Sequence, residues 1–207
     1  TGPIEVERNT VIRARAFRDG VEASQIISQT YLISVYHTMP VICLTTDPDN
    51  LWNEEYGALA DGPNIDKSTS TPWFKNATYG QKNWFPAWLE YTDENGQLQI
   101  SQGVRFRVMG QYSLDMPQKS LFIKADGQFG KSEFDYALFD DRPYTTYKSF
   151  VLRNGGQDGL YTRVMDGLEA RIIDQADSTL VTQSWKPVIV YIDGEYWGHC
   201  NMRERAG

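Results

Sequence analysis

The sequence predicts an α+β fold in which a mostly antiparallel sheet is combined with one main helix. Short apolar runs and period-two alternation of apolar and polar residues recur along the chain, as at 10–17 and 187–192, and these patterns are typical of strands. Only residues 160–175 show a sustained helical spacing. The apolar stripe of that predicted helix comprises Leu160, Val164, Leu168 and Ile172.

Composition indicates a folded chain and excludes two classes of partner. The chain has 207 residues, of which 41% are hydrophobic and 23% charged, so a packed core can form. The net charge is −7, whereas nonspecific binding to nucleic acid or to anionic membranes needs a basic field. The longest apolar runs are strand-sized, so we expect no membrane span in this chain. The length allows one domain plus a fragment, or two small domains.

The first 34 residues read as a separate unit. Residues 10–17 and 24–32 are predicted strands, separated by a turn at Asp19-Gly20. A lone hairpin buries too little surface to be stable. We therefore expect residues 1–34 to be the last strands of a β-sandwich, followed by a short linker and a second domain over 39–207.

The second domain is predicted to be rich in strands. Residues 40–45 form a buried strand, and Asp47 caps a short helical turn that begins at Pro48. Residues 53–83 form a long irregular loop. Turn signals at 93–96 and at Asp193-Gly194 connect the later strands. Those strands are predicted at 84–91, 98–109, 119–124, 147–152, 187–192 and 196–202.

Cysteine and histidine are too few to build a disulfide framework or a metal site. Cys43 and Cys200 are the two cysteines, and His37 and His199 are the two histidines. We interpret both cysteines as buried thiols. A single bridge between them stays open.

Aromatic residues are dense between 73 and 88, where Trp73, Trp84 and Trp88 lie among asparagine and glycine. Such a stretch can form a surface on which sugars stack, or it can pack against the sheet. The first interpretation supports an alternative function, a noncatalytic carbohydrate-binding or adhesion module of a bacterial surface protein.

Basic residues interrupt several apolar strands. Arg105 and Arg107 share one face of their strand, and Lys119 opens the next strand. Arg153 and Arg203 lie near the ends of two others. These cations either form a solvated face of the sheet or converge on a phosphorylated ligand.

One ordered set of motifs resembles the spore-coat protein H (CotH) kinase family. The motifs are Pro40-Val-Ile-Cys-Leu-Thr-Thr-Asp-Pro-Asp-Asn-Leu-Trp52, Gly103-Val-Arg105, Lys119-Ser-Leu121, Leu138-Phe139, Lys148-Ser-Phe-Val-Leu-Arg-Asn-Gly-Gly-Gln-Asp158 and Gly194-Glu-Tyr-Trp-Gly-His-Cys-Asn-Met-Arg-Glu-Arg205. Residues 1–32 resemble the C-terminal half of a chitobiase/hexosaminidase C-terminal-type β-sandwich.

The resemblance implies a nucleotide site in an atypical kinase N-terminal lobe. Lys119 would contact the nucleotide, with Asp166 as its partner acid, and Arg105 and Glu204 would be weaker candidates for the same cleft. A strand lysine held by a helical acid is how kinases direct a charge at the α- and β-phosphates. The family often has arginine where this chain has Met165, and its glycine-rich turn is reduced here to residues 109–113.

The resemblance also implies the reaction and the setting. Members of the family transfer phosphate from ATP to protein hydroxyls, with a divalent metal (Mg or Mn), and the proteins are secreted or lie on the bacterial cell surface. The acid near the acceptor hydroxyl and the metal-binding carboxylate are expected beyond residue 207. We therefore assign no catalytic or metal-binding residue to this chain, and we expect the piece alone to be inactive.

Overall fold

The computed structural model describes residues 2–22, 24–68, 74–177 and 179–205. The α-helices described are α1 (Pro48–Trp52) and α2 (Met165–Ala176). The strands are β1 (Thr10–Ala14), β2 (Phe17–Arg18), β3 (Val21–Glu22), β4 (Ile27–Tyr31), β5 (Val41–Thr45), β6 (Phe85–Thr92), β7 (Leu98–Met109), β8 (Ser120–Ala125), β9 (Phe134–Asp135), β10 (Thr146–Tyr147), β11 (Ser149–Arg153), β12 (Trp185–Ile192) and β13 (Glu195–Glu204).

Seven strands close into a barrel in the order β11-β13-β12-β5-β6-β7-β8. All neighbouring pairs are antiparallel except β5 and β12, which run parallel. The pairing of β8 with β11 completes the ring. Closure leaves every one of these strands with a hydrogen-bonded neighbour on both sides, so the barrel has no free edge.

Alternate residues of each barrel strand point inward and fill the barrel. This follows from the period of two along a strand, which places every second side chain on the same face. The largest interior side chains include Leu89, Tyr91 and Phe106, all of which are fully buried. Other interior residues are Ile42, Leu44, Val104, Val108, Leu121, Ile123, Phe150, Leu152, Val188, Val190, Cys200 and Met202.

The N-terminal strands form a hairpin that packs on the outside of the barrel. β1 pairs with β4, and the two-residue strands β2 and β3 continue the hairpin to its tip. The buried carboxylate of Glu90 on β6 accepts hydrogen bonds of 2.8 Å from Gln29 Nε2 and from Thr30 N of β4. That residues 1–34 end a β-sandwich stays a prediction.

The predicted α+β class is wrong, because the chain is mostly β and its strands close into a barrel. Strand positions follow from local patterns, but the parallel pairing of β5 with β12 joins residues more than 140 positions apart, and no local pattern reports it. In the described residues the helices have only five and twelve residues. None of them is long and apolar enough to cross a lipid bilayer.

The main helix also differs from its prediction. α2 begins at Met165, because residues 156–160 form a 3₁₀ turn that follows Gly155 in the left-handed conformation (φ 91°). The predicted apolar stripe does not face the core, since Leu160, Leu168 and Ile172 are 72%, 47% and 56% exposed. The helix instead contacts the barrel near its first turn, where Gly167 lies against the Trp185 indole.

Both cysteines are free and buried, as interpreted from the sequence. Cys200 belongs to the main core, whereas Cys43 packs with Ile189 and Tyr191 on the outer side of the barrel. Burial raises the pKa of each thiol to about 12. Neither thiol is therefore activated as a nucleophile.

Candidate functional site

A row of directly paired positions crosses four neighbouring strands on the outer surface of the barrel. Arg107 of β7 pairs with Phe122 of β8, Phe122 pairs with Val151 of β11, and Val151 pairs with Arg203 of β13. Adjacent strands lie about 4.8 Å apart. The row therefore places two arginines on one face, separated by two apolar residues.

Further cations lie on the same outer surface. Arg105 of β7 pairs with Lys124 of β8, which pairs with Ser149 of β11. The Arg205 guanidinium lies 4.2 Å from the centre of the Phe122 ring. We name this surface the basic face, and it consists of Arg105, Arg107, Lys124, Arg153, Arg203 and Arg205.

Two aromatic rings support the arginines of the basic face. The rings of Trp84 and Phe122 are 5.2 Å apart. The guanidinium groups of Arg105 and Arg107 lie 4.8 and 4.9 Å from the centre of the Trp84 ring. Arg107 also lies 5.6 Å from Phe122. A guanidinium stacked on a ring in this way keeps the N–H groups on its rim available for hydrogen bonds.

Two carboxylates neutralise part of the basic face. Asp126, in the loop after β8, lies 3.0 Å from Arg105 Nε. Asp166, in the first turn of α2, lies 2.5 Å from Arg153 Nε and 3.1 Å from Arg203 Nη2. One aspartate is thus shared by two arginines.

Positive charge and hydrogen-bond donors remain in excess on this face. Within the described ranges, Arg107, Lys124 and Arg205 have no acidic partner within 4 Å. The Nε atoms of Arg107 and Arg203 are buried and make no hydrogen bond to any described residue. Burial lowers the pKa of Arg203, an effect that Asp166 opposes. Buried polar groups normally have partners, and a water molecule or an anionic ligand could supply one here.

A hydrogen-bonded turn fixes the position of Arg153 and Asp166. The Asn154 side chain accepts from Ser120 Oγ and from Gly156 N, at 2.9 Å each, and donates to Gln118 O at 2.6 Å. Asp158 Oδ2 accepts from Met165 N at 3.0 Å, which caps the start of α2. The motif residues at 154–158 therefore shape the backbone beside the basic face.

Lys119 lies under the loop between β7 and β8. Its ammonium group donates to Leu114 O at 2.7 Å and to Met116 O at 3.3 Å, and it lies 3.9 Å from the centre of the Tyr79 ring. The side chain is buried, and burial lowers its pKa. The hydrogen-bond partners of Lys119 are therefore loop carbonyls and not Asp166. The Lys119 side chain holds this loop in place.

Glu204, at the end of β13, is also occupied. Its carboxylate accepts from Arg142 Nε at 2.9 Å and from Ser184 N at 3.3 Å. Arg142 donates in turn to Thr182 O at 2.6 Å. Glu204 pairs in register with Phe150, on the opposite face of the sheet from Val151, so this ion pair joins loops at one end of the barrel.

A comparison with protein families matches this part of the chain. Residues 105–206 match the family described as CotH kinase protein. This part of the chain is therefore similar to the CotH kinase family. The match begins at Arg105 within β7 and includes β8, β11, β12 and β13, so it contains every cation of the basic face. A search of curated proteins finds no match to the chain.

The residues predicted from the CotH resemblance are distributed over the barrel. Arg105 is part of the basic face, and Asp166 is the counter-ion of Arg153 and Arg203. Lys119 and Glu204 each bind a different group of loops. Their roles in nucleotide binding stay predictions.

Sequence reasoning missed the aromatic support of the CotH basic face. Phe122 lies between Leu121 and Ile123, which point inward, in a run of three apolar residues. Because all three are apolar, the sequence does not indicate which of them points outward. Trp84 contacts Phe122 and two arginines, so part of its ring is already covered by this face, although the residue is 36% exposed. Trp73, the other aromatic residue of the alternative function, lies outside the described residues.

The CotH resemblance also implies a divalent metal, so the side chains of the described residues can be compared with the ligands that a metal ion needs. In the part of the chain that the structure describes, no group of three or more histidine, cysteine, aspartate or glutamate residues could hold a metal ion. These residues therefore do not by themselves form a metal site, and we derive no step through a metal.

Proposed function

We propose that the basic face binds the phosphate groups of ATP in a CotH-type kinase that phosphorylates protein hydroxyls. The observation that carries this proposal is the pair of buried Nε–H groups on Arg107 and Arg203, which have no hydrogen-bond partner among the described residues. Arg107 on β7 and Arg203 on β13 lie at the two ends of the four-strand row, within residues that match the CotH kinase family.

Phosphate is the anion that suits these donors. Arginine recognises phosphate through two parallel N–H···O bonds, and such charge-assisted bonds are stronger than neutral ones. The chain has a net charge of −7, so a local excess of cations on one face is contrary to its overall charge.

The aromatic rings contribute by ordering the arginines before the ligand arrives. Trp84 and Phe122 hold the planes of Arg105, Arg107 and Arg205 by stacking. A side chain already held in place loses less conformational entropy when it binds. We therefore expect the rings to increase affinity without contacting the phosphates.

Phosphoryl transfer needs more than phosphate binding. A carboxylate must receive the proton of the acceptor hydroxyl, and metal ions must neutralise charge on the phosphates. We assign neither role to a residue of this chain. The proposed contribution of this part is to bind and orient the phosphates.

Isothermal titration calorimetry with ATP and with inorganic tripolyphosphate tests the proposal. We expect both to bind the wild-type chain, and we expect Arg107→Gln and Arg203→Gln to weaken binding about tenfold each, as loss of a charge-assisted bond requires. Arg18→Gln removes the same charge from an exposed residue of the hairpin and serves as the control. Absence of binding, or an equal loss in the control, would contradict the proposal.

The proposal extends to the location of the protein. The CotH resemblance implies a secreted or surface-exposed bacterial protein that acts on a protein substrate. Protease treatment of intact cells tests the location, because a surface protein is digested while cytoplasmic markers survive.

A further inference from the structure

A cleft of about 630 Å³ lies between the N-terminal hairpin and the barrel, on the outer side of β5, β6 and β7. Its floor consists of positions that pair directly across three strands. Thr45 of β5 pairs with Trp88 of β6, and Trp88 pairs with Gly103 of β7. The hairpin contributes Arg13 of β1 and Arg15, just after β1, to the opposite wall.

The floor of the cleft offers a fixed aromatic surface. Trp88 Nε1 donates to Ser101 Oγ at 3.0 Å, which restrains the indole. Position 103 must be glycine, because a Cβ there would lie 1.7 Å from Phe129 O. The loop that carries Phe129 thus comes down onto the strand beside Trp88 and closes one side of the cleft.

Two polar groups in the cleft have no hydrogen-bond partner within the described part of the chain. Thr45 is 2% exposed, and its Oγ1 makes no hydrogen bond to any residue that the structure describes. Arg15 pairs with Glu22 through Nη1, yet its Nε is buried and has no hydrogen-bond partner in the described chain. An unpaired buried polar group is unfavourable, so a ligand that satisfies such groups gains affinity.

The cleft is lined by equal numbers of acidic and basic side chains, whereas the basic face has an excess of basic ones. Arg13 and Arg15 are the cations among the lining residues, and Glu22 and Asp47 are the acids. A ligand with a large net charge would gain little here. The chemistry favours an uncharged ligand that has one flat apolar side and several hydroxyl groups.

We propose that this cleft binds a neutral saccharide, with a sugar ring stacked on Trp88 and a sugar hydroxyl bonded to Thr45 Oγ1. Sugar rings have an apolar face of C–H groups and a rim of hydroxyls that both donate and accept. The volume lies in the usual range for small-ligand sites, about 300–1,000 Å³. This binding is independent of the phosphate site and of the proposed kinase activity.

Titration of the whole chain with three saccharides tests the proposal. The probes are maltotriose, cellotriose and triacetylchitotriose at millimolar concentrations, followed by calorimetry and by tryptophan fluorescence. We expect at least one to bind. Thr45→Val should weaken that binding about fivefold while leaving the protein at least as stable, since it removes a buried hydroxyl that has no partner.

Two further variants separate the cleft from the rest of the surface. Trp88→Ala should abolish binding, and Tyr196→Ala, which removes an exposed aromatic ring of β13, should leave the affinity unchanged. Failure of all three saccharides to bind overturns the proposal, as does an affinity that Thr45→Val leaves unchanged. ATP binding by the basic face is unaffected by either outcome.

Discussion

Arg107 and Arg203 lie at the two ends of one row of paired residues that crosses β7, β8, β11 and β13. The residues between them, Phe122 and Val151, are apolar and nearly buried. Both arginines have a buried Nε without a hydrogen-bond partner among the described residues. Their placement on one face of a closed barrel gives the CotH segment a surface suited to an extended anion.

Asp166 is expected to balance the charge of the basic face. Asp166→Asn removes the carboxylate shared by Arg153 and Arg203, and Arg203 has a side chain only 12% exposed. We expect the free energy of unfolding to fall by about 1–3 kcal/mol, because a buried cation loses its partner. Affinity for tripolyphosphate should rise at least about twofold, because repulsion of the anion falls.

Urea unfolding and calorimetry on the same variant measure both effects. Glu169→Gln, an exposed position of α2 with the same change in charge, is the control and should change neither quantity by much. Weaker binding in Asp166→Asn would show instead that this carboxylate acts in the ligand site, as the resemblance implies.

Lys119 should act on the loop between β7 and β8. Lys119→Met removes the hydrogen bonds to Leu114 O and Met116 O, and we expect a loss of about 1–3 kcal/mol in stability. Hydrogen exchange should become faster over residues 110–117. Affinity for tripolyphosphate should change less than in Lys124→Met, which removes a cation of the basic face. A larger loss of affinity in Lys119→Met than in Lys124→Met would contradict this expectation.

Glu90 should make the stability of the chain depend on pH. Burial raises the pKa of Glu90, and hydrogen bonds from Thr30 oppose that effect only in part. Since the folded pKa lies above that of the unfolded chain, ionisation opposes folding. The stabilising contribution is complete below the unfolded pKa and is lost as pH rises through the folded pKa.

The glutamine side chain of Glu90→Gln cannot ionise, so this variant does not lose stability through ionisation at position 90 as pH rises. The difference in unfolding free energy between Glu90→Gln and wild type should therefore shift in favour of the variant as pH rises through that window. Urea unfolding from mildly acidic to neutral pH measures the difference, and other titrating groups cancel. A constant difference, or a shift toward wild type, would show that the carboxylate is not desolvated.

Gly167 is expected to be required for α2 to pack closely against the barrel. A Cβ at this position would lie 2.6 Å from two atoms of the Trp185 indole. Alanine in a free helix is favoured over glycine by about 1 kcal/mol, but the clash should outweigh this gain and lower stability by about 1–3 kcal/mol. Thermal unfolding of Gly167→Ala tests this. Gly127→Ala, whose Cβ would meet nothing closer than 3.9 Å, is the control, and equal melting temperatures would refute the clash.

Most strands of the barrel could be located from the sequence, but their assembly could not. The predicted strand at 98–109 has the same bounds as β7, and Asp47 caps α1 through a hydrogen bond from Asp49 N as predicted. Closure depends on β5 pairing in parallel with β12, a contact between distant segments that leaves no local signal. This missing information led to the wrong fold class.

The site was predictable in its charge and less so in its contacts. Arg105 and Arg107 are two positions apart on one strand, which predicts that they lie on the same face. The structure confirms this prediction. The partner of Lys119 could not be inferred from spacing, because a lysine side chain is long enough to reach the carbonyls of its own preceding loop. The packing of α2 against the barrel determines that Asp166 pairs with Arg153 and Arg203.

Nuclear magnetic resonance of arginine Nε–H groups, recorded during titration with ATP, tests the central claim most directly. The signals of Arg107 and Arg203 should shift with ATP in a saturable manner, since their Nε–H donors have no hydrogen-bond partner among the described residues. The signal of Arg142, whose Nε donates to Glu204, should stay in place. Unchanged Arg107 and Arg203 signals at saturating ATP would contradict the assignment of the basic face as a phosphate site.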